Sequence, residues 1–244
     1  MVDRILLFSV SNIIAHKYSI HYSIKDLEEL VIFLGLSKFH LLGHSFGGIL
    51  AYEYVKSKLL LPSSRQCLSL IIANAPCNMR TSIQESSPLE EEITFELTND
   101  MPITEKEASS KDATFTKSIK DILRRRHECR TQVTPEPLAS AIEHRGKNNW
   151  SAPEVVKPPR PRSPSCCSNP SSNAMPPVLL IRGEFDFITG ECIKGWRKIF
   201  AGGSNSRGTS YREEVMKNCA HYCHLKDEQS FADLVMSHCF INDY

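Results

Sequence analysis

No stretch of the 244-residue sequence approaches the roughly eighteen consecutive apolar residues that a membrane-spanning helix needs. Nor is there an excess of charge of one sign. The chain carries 29 Lys+Arg against 28 Asp+Glu, a net of +1, so no face is obliged to meet a polyanion and nucleic-acid binding has no compositional support. Regular cysteine spacing is also absent: the nine cysteines are scattered and odd in number, which suits reduced thiols better than a secreted disulfide scaffold. The apolar start, Ile5 to Val10 after Arg4, lacks both a long apolar core and a clear small-residue cleavage site, and is not read as a secretion signal. These absences lead to the expectation of a cytoplasmic chain that binds neither membrane nor nucleic acid. What is present is enough apolar material, 41% of residues, for one sizeable core with an appended lid.

The apolar spacing of Ile24, Leu27, Leu30, Val31 and Leu34 predicts a helix over residues 24–36, closed near Gly35. Phe39 to Leu42, ending in Gly43, reads as a buried strand. Gly47 to Leu60 reads as a helix and Cys67 to Ala73 as another buried strand. Strand, helix, strand at this spacing is the signature of a parallel sheet. Residues 78–150 turn from acidic (Glu90 to Glu92) to basic (Arg124 to Arg126) without a strong strand, and are expected to form a helical cap. Half of the 24 residues in 151–174 are Pro or Ser, too little apolar surface to offset the entropy of ordering, so a flexible linker is expected there. Core character returns in residues 175–244: a strand at Val178 to Ile181, a helix over 190–200, a weak strand at 211–217, and a closing helix over 231–240. The domain map is therefore 1–77, cap 78–150, linker 151–174, and 175–244.

One pentapeptide carries the chemistry. Gly43-His44-Ser45-Phe46-Gly47 is a G-x-S-x-G run at a predicted strand-to-helix junction. A serine there sits on a sharp turn, with glycines where backbones pass too close for side chains. The turn lifts the hydroxyl above the sheet and aims the Phe46 N–H at a developing oxyanion. A serine hydroxyl needs a base to take its proton, and the base needs an acid to hold its tautomer. In this arrangement the chain order is serine, acid, histidine. Asp186, after the strand at 178–181, is the preferred acid, with Glu184 as the alternative. His221 is the preferred base, because it follows a small residue and stands nearer the strand end; His224 is the alternative. Cys219, His221, Cys223 and His224 crowd six positions, but zinc sites draw ligand pairs from two separated places and no second pair is evident, so no metal is expected.

The runs Ser23 to Leu30, His40 to Gly48, Leu180 to Thr189 and Asn218 to Leu225, with Arg125-Arg126-His127-Glu128-Cys129-Arg130 and Pro135 to Leu138 in the cap, resemble the proline iminopeptidase branch of the α/β-hydrolases. The resemblance implies an α/β-hydrolase fold with a helical cap. It also implies removal of an N-terminal residue, often proline, from a small peptide or amide through an acyl-enzyme, with no metal or organic cofactor. By position it carries the triad to Ser45, Asp186 and His221. His44 and Glu143 are the candidate substrate contacts, Glu143 as a partner for the substrate amine. The chain also departs from that family. No H-G-G-P-G loop, the source of the second oxyanion donor, precedes Ser45, and the early strands are expected to be missing, leaving a sheet edge uncovered. Phe187 stands where some members place a glutamate. The competing expectations are a carboxylester hydrolase with the same triad, and a truncated, catalytically impaired relative.

Overall fold

The computed structural model describes residues 5–8, 19–59, 65–99, 113–143, 156–157, 175–200 and 210–243. Five parallel strands form one sheet in chain order: β1 (Ile5–Phe8), β2 (Lys38–His44), β3 (Gln66–Ala73), β4 (Val178–Gly183) and β5 (Tyr211–Met216). The three central strands are near-continuous apolar runs because both faces are covered, as parallel sheets require. Phe39, Leu41, Leu70, Ile72, Val178 and Leu180 point into one core with the helices α1 (Ile20–Phe33), α2 (Phe46–Lys58) and α6 (Gly190–Phe200). The alternate residues Leu42, Ile71, Ala73, Leu179 and Ile181 pack with Phe231, Val235 and Cys239 of the closing helix α8 (Glu228–Ile241), which follows the short α7 (Cys223–Lys226). Successive side chains on a strand face opposite ways, so a single run feeds both cores.

The predicted elements are found, with shifted ends. Helix α1 begins a turn earlier than its apolar spacing suggests. It stops where Gly35 adopts φ 65° and the Leu36 N–H reaches the Val31 carbonyl at 3.1 Å. Helix α8 also starts a turn early, because the Asp227 side chain caps it by accepting from the Ser230 N–H at 3.1 Å. One strand comes from a segment to which the sequence assigned no element: the apolar start contributes β1, which pairs with β2 from Ile5↔His40 to Phe8↔Gly43. The strand leading to Ser45 is thus interior, and its outer edge is not bare. Burying that edge satisfies backbone groups that would otherwise stand open.

Between β3 and β4 the described residues form only helices: α3 (Met79–Thr98), α4 (Ala113–Leu123), a π-helical turn (Arg124–Glu128) and α5 (Glu136–Glu143). Helix α3 is opened by the Asn78 side chain, which accepts from the N–H groups of Arg80 and Thr81. Apart from Val156 and Lys157, the expected linker lies outside the described residues. Among the described residues no helix is long and apolar enough to cross a membrane.

Candidate active site

At the carboxyl end of β2 the chain turns sharply. Ser45 has φ 54° and ψ −124°, a backbone that residues with a Cβ adopt only under external constraint. That constraint is visible: the Ser45 N–H donates to the Ala73 carbonyl of β3 at 2.8 Å, and the Gly48 N–H donates to the Ser45 carbonyl at 3.0 Å. A Cβ on Gly43 would overlap the Gly47 carbonyl, which is why the two glycines flank the turn. Phe46 is the first residue of α2, so its N–H belongs to the helix N-terminal turn, where backbone donors and the helix dipole favour negative charge.

Asp186 lies in the loop after β4 and His221 in the loop after β5; both are buried. Asp186 Oδ1 meets His221 Nδ1 at 3.0 Å. A carboxylate only accepts, so Nδ1 carries the proton and Nε2 is left for another partner. The Ile188 N–H also donates to Oδ1, at 2.9 Å. The Phe187 ring packs against the imidazole with centroids 4.4 Å apart, an apolar wall where the family resemblance suggested a carboxylate.

The alternatives are occupied elsewhere. Glu184 is exposed and accepts from the Asn218 N–H at 2.9 Å and from Lys217 Nζ at 3.3 Å; the Asn218 N–H, then Lys217, hold its carboxyl below the usual range. His224 makes no bond to Asp186. Its ring lies 4.9 Å from that of His44, and burial, with the nearby His221, pushes its pKa down to about 4. His44 donates from Nε2 to the His221 carbonyl at 2.7 Å. Burial, followed by its neighbours His221 and His224, keeps it well below the ordinary histidine value. A neutral His44 thus ties the residue before Ser45 to the loop that carries His221. Glu143 is exposed at the end of α5 and makes no hydrogen bond or ion pair among the described residues. No group of three or more His, Cys, Asp or Glu side chains among the described residues is placed to hold a metal ion, and Cys223 Sγ donates to the Ala220 carbonyl.

Sequence reasoning missed Asn74. Just past β3 it adopts φ 52°, and its N–H donates to the Ile181 carbonyl of β4 at 2.7 Å. Its Nδ2 donates to Asp186 Oδ2 at 2.7 Å and to the Ala220 carbonyl at 3.2 Å. One amide therefore holds the second carboxylate oxygen and ties it to the histidine loop. The available signal was a polar residue directly after the apolar run Leu70 to Ala73. Asn74→Gly keeps the left-handed backbone without steric cost and removes only the amide. It is expected to lower the rate of any Ser45-dependent reaction about tenfold. It should also cost about 1–3 kcal/mol of stability, because it leaves a buried oxygen unpaired. Urea unfolding alongside the rate measurement checks both.

The thioesterase-domain family model matches residues 36–156, just under half of the chain, which includes the Ser45 turn and much of the cap but neither Asp186 nor His221. No curated protein sequence matches the chain. Among solved structures, the proline iminopeptidase of Mycobacterium smegmatis superposes with a TM-score of 0.66 at 19% identity, over 92% of this chain and 72% of that one. VinJ gives 0.62 at 18% identity, over 92% and 73%. Est816, described as an N-acyl homoserine lactone degrading enzyme, gives 0.52 at 18% identity, over 91% and 75%. These superpositions span about nine-tenths of the chain, and the protein has the α/β-hydrolase fold.

Proposed function

We propose that the chain is a serine hydrolase acting by acyl transfer. The observation that carries this reading is the 3.0 Å Asp186–His221 bond on a loop tied through His44 to the Ser45 turn. In the reaction, Ser45 Oγ attacks a carbonyl carbon while His221 Nε2 takes its proton. The tetrahedral oxyanion is stabilised by the Phe46 N–H. The proton then passes to the leaving group as the bond to it breaks, and water, deprotonated by His221, releases the acid from Ser45. Asp186 holds the imidazole in the required tautomer and stabilises its cation.

Within that class we infer an aminopeptidase of the iminopeptidase type, releasing an N-terminal residue from a small peptide or amide. Its support is the resemblance of the cap and site segments, together with the fold shared with the iminopeptidase structure. The thioesterase-domain match over 36–156 favours a second reading, an ester or thioester substrate. The absence of any tie between Glu143 and the site, among the described residues, leans the same way, because a cationic amine needs a carboxylate beside it.

A fluorophosphonate probe is expected to label Ser45, as mapped by mass spectrometry, with no labelling of Ser45→Ala. Labelling elsewhere with Ser45 untouched removes the assignment. Hydrolysis of a proline arylamide in preference to an acyl thioester supports the aminopeptidase, and the reverse preference supports the second reading.

A further inference from the structure

Among the described residues, the turn at the end of α4 touches both the acid and the base loop, and it has an unusual shape. The helix α4 ends in the π-turn Arg124–Glu128, closed by the Cys129 N–H on the Arg124 carbonyl at 3.1 Å. Such turns cluster at functional sites, and the end of this helix leaves its last carbonyls without intrahelical partners. Two of them are used by the base loop. The His221 N–H donates to the His127 carbonyl at 3.2 Å, and the Tyr222 N–H to the Glu128 carbonyl at 2.7 Å. The side chains that follow hold the acid loop. His127 Nδ1 donates to the Phe185 carbonyl at 2.9 Å, directly before Asp186. The Arg130 guanidinium lies 3.7 Å from the centre of the Phe185 ring, and Arg130 adopts φ 56° to place it there. Arg126 ties the same turn back to α3 through a two-pronged ion pair with Glu96, at 2.7 and 3.1 Å. From α3 in turn, Glu85 accepts from Thr189 on the far side of Asp186 at 2.7 Å.

From this arrangement we propose that His127 is a positioning residue, through which the cap sets the geometry of the Asp186–His221 pair. The inference rests on the serine-hydrolase reading for its effect on rate, though not for its effect on the pair itself. His127 bridges both loops, its backbone oxygen holding the base and its ring nitrogen holding the acid. Its removal frees the Phe185 carbonyl, lets the acid loop drift from the base loop, and weakens the bond that favours the His221 cation. An asparagine at 127 places Nδ2 near the position of Nδ1 and retains the donor; a glutamine places its donor near Nε2 and does not.

The experiment uses the full chain with 15N-labelled histidine. In wild type, the Nδ1 proton of His221 is expected as a low-field resonance. In H127A it should move upfield and broaden as the Asp186–His221 bond loosens. The rate of fluorophosphonate labelling at Ser45 should fall about tenfold. H127N should restore both and H127Q neither. An unchanged resonance in H127A overturns the proposal. So does a rate loss without a change in the resonance, which marks a merely structural role. Should H127A not fold, equal behaviour of H127N and H127Q overturns it. If wild-type Ser45 does not label, the hydrolase reading fails, and the resonance alone still decides the role of His127.

Discussion

Replacing Asp186 by asparagine is expected to lower the turnover of any Ser45-dependent substrate by about 10⁴-fold while leaving the fold intact. The reason lies in the count of donors around the carboxylate. Ile188 N–H and His221 Nδ1–H converge on Oδ1, and Asn74 Nδ2–H on Oδ2. An amide has one accepting oxygen, so one side of it must present a donor to a donor. If its NH2 faces Oδ1's partners, His221 is driven to the other tautomer, with the proton on Nε2, where it cannot accept from Ser45. If the NH2 faces Asn74, that residue must flip and present its own Oδ1, which has no hydrogen-bond partner at present. The flip then breaks the bond to the Ala220 carbonyl. Single-turnover labelling by a fluorophosphonate, compared with wild type at equal folded fraction, measures the effect. A loss smaller than tenfold would mean that Asp186 is not what orients the base.

The second large effect is on stability against acid. Burial is the leading cause that holds four histidines, His40, His44, His224 and His238, below the ordinary value of 6.5. A base whose folded pKa is depressed binds fewer protons folded than unfolded. The unfolded chain therefore gains as pH falls, and stability rises with pH across that window. For His224, with a folded value of about 4, the loss begins as pH drops through 6.5 and is complete below about 4. It amounts to about 3 kcal/mol for that residue alone. Urea unfolding at pH 7.5 and 4.5 should show a drop of at least this size. His224→Gln should reduce the dependence on pH, and an unchanged slope in that variant would remove His224 as its source.

The parts of the fold visible in the sequence are those where local pattern and tertiary role coincide. Leu41-Leu42 and Leu179-Leu180-Ile181 are apolar at every position because both faces are covered, and Gly43 is fixed by a backbone contact within its own turn. The strand β1 was hidden because four apolar residues near an end carry no period, and only pairing with β2 makes them a strand. Asp186 and His221 were reachable through chain order and strand ends. Asn74 was not, since its role depends on a loop 112 residues away. The segment Arg125 to Arg130 was noticed as a family feature, but a π-turn has no sequence signature. Its use as a bridge between two loops appears only once the carbonyls are seen to point at His221 and Tyr222.

The sheet adds its strands in the order in which the chain supplies them, but the intervals are unequal. From β2 to β3 the chain needs a single helix, whereas β3 and β4 are separated by about a hundred residues, from Ala73 to Val178. Closing that interval carries the largest loop entropy in the molecule, so pairing of Leu70–Ala73 with Val178–Ile181 falls late in folding. Until then the chain holds its serine turn on a half-sheet whose β3 edge, Leu70-Ile71-Ile72-Ala73, is fully apolar and open. At high protein concentration such an edge can pair with a second copy of itself before β4 arrives. Refolding yield is therefore expected to rise on dilution.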